Sequence, residues 1–240
     1  MPKTISIIVA TYNSEKTLEK CLDSIINQKN SSIELIIIDG GSTDQTLEIL
    51  SRYNKNIDCL ISEIDDGIYD AWNKGIKVAN GKWMMFVGSD DELRPGCIDS
   101  YQEQIIEDTN YDYISGRIML VNQQGDELRE FGQPYDWGVF RTIMNLAHVS
   151  ALHNRRLYDK YGYYDTSYKI CGDYELLLRP KGELKVKFID KLLANMAIGG
   201  VSYGSFAALE ETRKAKLKHM VKSTPSIFFD YHYSVFKLWL

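Results

Sequence analysis

The chain has 240 residues, of which 44% are hydrophobic, and this is enough for one large domain or a domain with an appendage. Its 28 basic and 33 acidic residues give a net charge of -5, which argues against nonspecific nucleic-acid binding as the main task. The four cysteines are scattered, without the close pairs of a zinc site or the density of a disulfide scaffold, so we expect them to be reduced.

The N-terminus and the hydropathy pattern predict a cytoplasmic protein. An apolar run begins at Ile5, too early for the charged region, apolar core and cleavage site of a signal peptide. The sequence contains no apolar run of about 18 residues, the length that a transmembrane helix needs.

Short apolar runs alternate with helical patterns over the first 110 residues. Strands are predicted at 5–10, 35–38, 59–62 and 83–87, and helices at 18–26, 42–50, 69–79 and after Pro95. Ser42 with Gln45 is typical of a capping box, and Ile98, Tyr101 and Ile105 have the spacing of a buried helix face. This alternation predicts a largely parallel α/β sheet that is covered by helices.

The second half of the chain is less regular. The pattern predicts a hairpin and two later strands, at 113–121, 127–131, 186–189 and 193–198. A helix is predicted at 205–222, and Pro225 should separate it from an aromatic tail. We therefore predict one domain with two halves and a C-terminal extension, at 1–110, 111–204 and 205–240.

Polar clusters follow three of the predicted strands, at 11–13, 39–44 and 89–91. The carboxyl ends of parallel strands meet at one edge of a sheet, so we expect these segments to form one site. Asp90 and Asp91 repel each other there and need a cation or a shared proton. Mg²⁺ or Mn²⁺ takes one or two carboxylates and leaves other positions to water and phosphates, so a diphosphate could bind through the metal. The alternative for this pair is a solvated turn.

Five stretches together resemble family 2 glycosyltransferases with the GT-A fold. They are SIIVATYN at 6–13, DGGSTD at 39–44, DGIYDAWNKG at 66–75, GSDD at 88–91 and CGDYE at 171–175. The resemblance covers about residues 5–200. It implies a GT-A type, Rossmann-like and mostly parallel sheet flanked by helices, followed by a C-terminal helical extension.

The resemblance also implies an activity, the inverting transfer of a single sugar from a nucleotide diphosphate sugar to an acceptor hydroxyl. The donor would be a UDP-sugar, and the acceptor a lipid-linked or saccharide precursor of cell-surface polysaccharide or glycolipid. The processive synthases of the family carry a Gln-x-x-Arg-Trp sequence and several membrane spans. This sequence lacks both features, which favours single addition over polymerisation.

The donor-binding residues that the resemblance implies lie in the first half of the chain. The nucleotide side would comprise Thr11, Tyr12, Asn13, Asp39, Asp66, Lys74, Ser89 and Asp90. Asp39 would accept a hydrogen bond from the base, and Lys74 would lie near the phosphates. Asp90 and Asp91 match the family's Asp-x-Asp position and would bind Mg²⁺ or Mn²⁺, with Asp91 as the more direct ligand.

Three later segments match acceptor-side positions of the family. Asp173 would be the catalytic base, and its alternative role is a helix N-cap. His148 would contact phosphate or acceptor, although a lone histidine beside an apolar run is also typical of a structural residue. Residues 199–202 match a family loop near the site.

Two other classes of function stay open at this point. One is a non-catalytic protein that binds nucleotide sugars. The other is a nucleotidyltransferase, which would carry a Gly-rich, Arg-containing loop after its first strand, whereas this chain has Ala10 to Ser14 there.

The C-terminal extension combines basic and aromatic residues. They are Arg213, Lys214, Lys216, Lys218 and Lys222, followed by Phe228, Phe229, Tyr231, Tyr233, Phe236 and Trp239. This combination is typical of peripheral contact with the inner face of the plasma membrane. A helix that packs on the domain, or on a second copy in a homodimer, is the alternative.

Overall fold

The structure is a computed structural model that describes residues 3–107, 110–199 and 205–238. Its strands are β1 (Ile5–Thr11), β2 (Ile33–Asp39), β3 (Cys59–Ser62), β4 (Trp83–Gly88), β5 (Glu92–Leu93), β6 (Tyr113–Val121), β7 (Glu127–Phe131), β8 (Leu152–Asn154) and β9 (Val186–Ala197). Its helices are α1 (Leu18–Ile26), α2 (Thr46–Arg52), α3 (Ile68–Val78), α4 (Cys97–Glu107), α5 (Trp137–Phe140), α6 (Arg155–Tyr161), α7 (Gly172–Leu178), α8 (Phe206–His219) and α9 (Thr224–Leu238).

The described strands form one sheet in the order β3-β2-β1-β4-β8-β6-β9-β5, with β7 beside β6. The first four strands are parallel, as the sequence predicts, and the second half mixes parallel and antiparallel pairs. All seven residues of β2 are buried, because helices cover both faces of the parallel part.

The core lies on both faces of the sheet. Ile5, Ile7 and Val9 of β1 face α1, α2 and α4, whereas Ile8 faces the side of α3, α6 and α7. This division follows from the two-residue period of a strand. Each such side chain, once buried, contributes about 1.5–3 kcal/mol.

Two local predictions were wrong. The segment 186–198 forms the single strand β9 rather than two strands, and irregular register beside β6 accommodates its length. Ser42 does not cap α2, because its hydroxyl donates to Asp39 and the N-cap residue is Gln45. The prediction that Pro225 separates the preceding helix from the aromatic tail is confirmed, because α8 ends at His219 and Pro225 lies in the first turn of α9, where its missing N–H costs nothing.

The C-terminal extension packs against the rest of the chain. Ala215 and Val221 belong to the same apolar cluster as residues of α3 and α7. The C-terminal helices thus share a core with the preceding residues. The division of the chain at residue 204 stays a prediction. Of the helices that the structure describes, none combines the length and apolarity needed to cross a bilayer.

The basic residues of the extension are engaged within the chain. Their partners are Glu210 for Arg213, Ser167 for Lys214, Thr142 and Asp230 for Lys216, Asp165 and Glu175 for Lys218, and Asp230 for Lys222. In contrast, Phe229, Tyr233 and Phe236 are exposed. Trp239 lies outside the described residues. Membrane contact and homodimer formation through this extension stay predictions.

Candidate active site

Direct hydrogen bonds join the loops that follow β1, β2 and β4. The Asn13 amide donates to Ser42 Oγ at 2.8 Å, and the Thr43 amide donates to Asn13 Oδ1 at 2.9 Å. Ser14 Oγ and Ser89 Oγ lie 2.7 Å apart. The prediction that these three segments meet at one edge of the sheet is confirmed.

A cleft of about 570 Å³ opens between these loops. Its lining consists of Tyr12, Asn13, Ser14, Glu15, Lys16, Thr17, Asp44, Ser89 and Asp90. The Tyr12 ring is 63% exposed and presents a face on which a planar base can stack. Thr11 lies beneath this surface, since its side chain is buried and its carbonyl accepts from the Gly40 amide at 2.9 Å.

The Asp39 carboxylate is buried at the end of β2 and holds its own loop in place. Oδ2 accepts from the amides of Gly41 and Ser42 at 3.2 and 3.1 Å and from Ser62 Oγ at 2.7 Å. Oδ1 accepts from the Ser42 hydroxyl at 2.5 Å. Oδ1 can accept one further hydrogen bond, so an N–H group of the base could donate only to this oxygen. The base-binding role of Asp39 stays a prediction.

Asp90 and Asp91 occupy different environments although they are neighbours. A Cβ atom built on Gly88 would lie 2.8 Å from an oxygen of each carboxylate, so both crowd around this glycine. Asp91 is buried, and its two oxygens accept from the amides of Gly88 at 3.1 Å and Ala197 at 3.2 Å. Burial, together with the nearby charge of Asp90, raises the pKa of Asp91 well above its ordinary value.

Asp90 is exposed at the cleft, so its carboxylate is the more open of the two. Within the described ranges, no group of three or more His, Cys, Asp or Glu side chains has the geometry of a complete metal site. A divalent cation such as Mg²⁺ accepts one or two carboxylates when substrate phosphates and water supply its other ligands. The Asp90 carboxylate therefore suits a divalent cation whose other ligands are water and the phosphate oxygens of a bound substrate.

The segment before α3 places Asp65, rather than Asp66, against the loop after β2. A Cβ on Gly40 would lie 2.7 Å from Asp65 Oδ2. Asp66 is exposed, and its backbone amide donates to Asp70 Oδ2 at 3.2 Å. Sequence reasoning missed Asp65 because only the folded chain shows that it faces a glycine.

Lys74 lies on α3 and binds acids of the chain. Its Nζ is 2.9 Å from Glu63 and 3.4 Å from Asp70, and it donates to the Ile64 carbonyl at 3.1 Å. Burial alone would lower the pKa of Lys74, but the hydrogen bonds to Glu63 and Asp70 outweigh this effect and raise it. The role of Lys74 near phosphates stays a prediction.

Asp173 lies in the first turn of α7 and is half-buried. The N-cap of this helix is Cys171, so the alternative role of Asp173 as the N-cap was wrong. Asp173 Oδ1 accepts from the Tyr174 amide at 2.8 Å and lies 3.3 Å from the Tyr69 hydroxyl. In the described part of the chain, no hydrogen bond uses Oδ2, so this oxygen remains available to accept a proton.

Tyr69 of α3 contacts Asp173 and the segment before α7. Its hydroxyl donates to the Ile170 carbonyl at 2.6 Å, and the carbon atoms of its ring lie against Gly172. A Cβ on Gly172 would approach that ring to 2.8 Å, so glycine is needed for α7 to begin at this place. Burial is the larger cause and the charge of Asp173 the smaller one, and together they raise the pKa of the Tyr69 hydroxyl well above its ordinary value.

His148 is buried beside this group of residues. Its ring stacks on Trp72 with centroids 4.8 Å apart, and its Nε2 lies 3.1 Å from the Tyr164 hydroxyl. Burial lowers the pKa of His148, and the charge of Asp173 opposes this only in part. The imidazole is therefore neutral at pH 7 and its contacts are structural, while contact with phosphate or acceptor stays a prediction. Residues 200–202 of the predicted glycine-containing loop lie outside the described residues.

The fold and this cleft define a class of protein. A sheet with a parallel first half carries an acidic cleft at the carboxyl ends of those strands, and α7 carries a separate half-buried carboxylate. Residues 6–171 match the family model described as glycosyl transferase family 2. The chain belongs to this family.

Curated relatives agree with this assignment. The chain is 30% identical over 227 residues to the PGL/p-HBAD biosynthesis glycosyltransferases of Mycobacterium bovis and Mycobacterium tuberculosis, covering 91% of this chain and 84% of theirs. It is also 24% identical over 229 residues to the chondroitin synthase of Pasteurella multocida, but this match spans only 23% of that protein.

Solved structures establish the fold. The first 349 residues of TarS from S. aureus, in complex with UDP-GlcNAc, align with a TM-score of 0.71 at 19% identity, covering 97% of this chain and 71% of theirs. The mannosyltransferase PcManGT from Pyrobaculum calidifontis, in complex with GDP-Man and Mn²⁺, aligns with a TM-score of 0.69 at 17% identity, covering 100% and 72%. The predicted GT-A fold is confirmed.

Proposed function

We propose that this glycosyltransferase moves a single sugar, with inversion, from a nucleotide diphosphate sugar to an acceptor hydroxyl. The observation that carries the proposal is the Asp173 carboxylate, which is half-buried, oriented by Tyr69 and the Tyr174 amide, and open at Oδ2. An inverting transfer needs one such base on the side of the sugar opposite to the leaving diphosphate.

The donor would bind in the cleft after β1, β2 and β4. Tyr12 would stack on the base, and the polar groups of Asn13 and Ser89 would contact the ribose and phosphates. The Lys16 side chain lines the same cleft and adds a positive charge. A UDP-sugar is the proposed donor, and the TarS complex with UDP-GlcNAc supports this choice by similarity of fold.

A divalent cation would be held by Asp90, with Asp91 behind it in a supporting position, which reverses the order that the resemblance implies. When bound, Mg²⁺ or Mn²⁺ stabilises the negative charge of the departing diphosphate. The Mn²⁺ in the PcManGT complex supports this proposal. Asp91 would contribute by fixing the backbone at Gly88, since both of its oxygens accept amide hydrogens.

Asp173 would act on the acceptor. Its Oδ2 would take the proton of the acceptor hydroxyl while that oxygen forms a bond to the anomeric carbon and the bond to the diphosphate breaks. The buried Tyr69 side chain, whose hydroxyl lies 3.3 Å from Asp173 Oδ1, would limit the access of water to this carboxylate. General-base catalysis of this kind contributes about 10²- to 10⁴-fold to the rate.

The acceptor would be a lipid-linked or saccharide precursor of a cell-surface glycan or glycolipid. The name of the mycobacterial relatives, PGL/p-HBAD biosynthesis glycosyltransferase, supports an acceptor in a biosynthetic route of this kind. We also propose a cytoplasmic location with peripheral contact at the inner face of the plasma membrane. All four cysteines are free, as expected in a reducing compartment.

The test is UDP release from a panel of UDP-sugars with simple glycosides as acceptors. We expect activity to disappear with EDTA and to return with Mg²⁺ or Mn²⁺. Asp173→Asn should lower kcat by about 10²- to 10⁴-fold while UDP still binds in calorimetry. Full activity of this variant would refute the proposed base, and tight UDP binding without turnover by the wild type would favour a non-catalytic binding protein.

A further inference from the structure

One carboxylate of the C-terminal extension holds the segment that leads into α7. Glu211 Oε1 accepts from the Lys169 amide at 2.8 Å. Glu211 Oε2 accepts from the amides of Ile170 and Cys171 at 2.9 and 2.8 Å. Three consecutive backbone amides thus bind one side chain from α8, and the last of them lies two residues before Asp173.

These contacts hold the backbone that enters α7. The N-cap residue of α7, Cys171, makes no side-chain capping bond to the first amides of the helix. Glu211 instead accepts from the amides of Cys171 and of the two residues before it, and it lies on a helix that is 40 residues further along the chain than Cys171. The starting position of α7 therefore depends on α8.

The opposite side of the same segment contacts α3. The Ile170 carbonyl accepts from the Tyr69 hydroxyl at 2.6 Å, and Lys169 Nζ donates to the Asp66 carbonyl. Residues 169–171 are therefore clamped between α8 and the N-terminal end of α3. Asp173 lies only two residues after this clamped segment.

We propose that Glu211 is a positioning residue for sugar transfer. It fixes the backbone of 169–171 so that Asp173 Oδ2 reaches the acceptor hydroxyl. The inference rests on the proposed function, since it needs Asp173 to act as the base. A displacement of about 1 Å at a reacting group can lower the rate by about 10²-fold, so the loss of three hydrogen bonds is large enough to matter.

The proposal gives the C-terminal extension a part in the reaction. The helix α8 also binds the following turn of α7, because Lys218 and His219 both contact Glu175 at 2.7 Å. Those contacts hold the body of α7, whereas Glu211 holds the segment before it. Glu211 is thus the residue whose change should alter the position of Asp173 with little effect on the rest of α7.

The first experiment compares Glu211→Gln with Glu210→Gln. Glutamine keeps the size of the side chain but turns one acceptor oxygen into an NH₂ group that faces backbone amides. Glu210 is the adjacent residue and binds Arg213 and Tyr231 within the extension, so it is a matched control. With UDP-GlcNAc as donor, we expect Glu211→Gln to lower kcat by about 10- to 100-fold with the donor KM within about twofold. Glu210→Gln should stay within about twofold of wild type.

A double-mutant cycle with Asp173→Asn tests whether Glu211 acts through Asp173. If it does, adding Glu211→Gln to Asp173→Asn should lower kcat by less than about twofold further. Multiplicative losses would overturn the positioning role. Full activity of Asp173→Asn refutes Asp173 as the base, on which the inference rests, whereas an impaired Asp173→Asn with a fully active Glu211→Gln refutes only the inference about Glu211.

Hydrogen exchange gives a readout that needs no substrate. The amides of residues 169–171 should exchange faster in Glu211→Gln and at the wild-type rate in Glu210→Gln. Unchanged exchange in Glu211→Gln would overturn the proposal. If this variant does not fold, Glu211→Asp carries both measurements, because it keeps two acceptor oxygens on a shorter side chain. It should lower kcat relative to wild type and speed the exchange of amides 169–171, and wild-type values of both would overturn the proposal.

Discussion

The carboxylates of the donor-side loops and those of the α7–α8 junction are stabilised in different ways. In the loops after β2 and β4, the buried Asp39 and Asp91 accept hydrogen bonds from backbone amides and hydroxyl groups. At the junction, the fully buried Glu175 binds three side chains, Arg179, Lys218 and His219. Amides orient a carboxylate without cancelling its charge, whereas ion pairs cancel it.

This difference suits two tasks. A loop whose acids accept from amides rather than from cationic side chains can still attract a cation that brings a diphosphate, and the exposed carboxylate there is that of Asp90. At the junction, the ion pairs of Glu175 balance its charge without a bound ligand, and they hold α7 against α8. Asp173 lies between the two regions, since its own helix is supported from α8 while its Oδ2 stays open.

The largest expected effect separates Asp90 from Asp91. Asp90→Ala should lower kcat/KM by about 100-fold or more without changing the midpoint of thermal unfolding, because Asp90 is exposed. Asp91→Ala leaves the amides of Gly88 and Ala197 without acceptors and should cost about 1–3 kcal/mol of stability. Steady-state kinetics and calorimetry on both variants provide the measurement, and equal thermal midpoints would contradict the comparison.

Glu175→Gln tests the ion-paired junction. Burial opposes ionisation, but contacts with His219, Arg179 and Lys218 outweigh it and lower the pKa of Glu175 from 4.5 to about 2. This group therefore stabilises the folded state fully above pH 4.5, and the contribution is lost as the pH falls through about 2. A difference of this size corresponds to about 3 kcal/mol.

Urea unfolding at pH 7 and at pH 3 measures this effect. The wild type should lose part of its advantage over Glu175→Gln at the lower pH. Glu183→Gln is the control, because Glu183 pairs with Lys160 at 3.7 Å on the exposed surface and should contribute less than about 0.5 kcal/mol. An advantage that does not depend on pH would show that Glu175 acts by packing alone.

Gly172→Ala should disturb the contact between the two regions. The added methyl group would lie 2.8 Å from the buried Tyr69 ring, and we expect a loss of about 1–3 kcal/mol in stability. The activity should fall by about tenfold, because α7 must shift. Gly182→Ala is a matched control, since its methyl group would lie at an ordinary 3.4 Å from Trp137. Similar unfolding midpoints for the two variants would rule out the steric argument.

The smallest effect is expected at the exposed aromatic residues of α9. Phe229 and Tyr233 are 71% and 52% exposed, so Phe229→Ser and Tyr233→Ser should change the unfolding free energy by less than about 0.5 kcal/mol. The same variants discriminate between the two predictions for this extension. Reduced sedimentation with liposomes would support membrane contact, reduced self-association in light scattering would support a homodimer, and no change in either would exclude both for this face.

Much of the fold and part of the site were predictable from local patterns. The bounds of β3, β6 and β7 agree with the predicted strands, because the pattern that indicates a strand depends only on residues close together in the sequence. The meeting of the three donor-side loops follows from the rule for carboxyl ends of parallel strands. The length of β9 was not predictable, because its irregular pairing depends on β6, more than 60 residues earlier in the chain.

The sequence by itself determined the α/β class, the family and the residue types at the cleft, because these depend on periodicity and on short motifs. Tertiary structure alone decided that Asp90 is open and Asp91 is held by amides, that Asp65 rather than Asp66 faces Gly40, and that Glu211 binds the segment before Asp173. The physical reason is that burial and hydrogen-bond partners come from segments that are distant in the chain, so the local sequence pattern does not predict them.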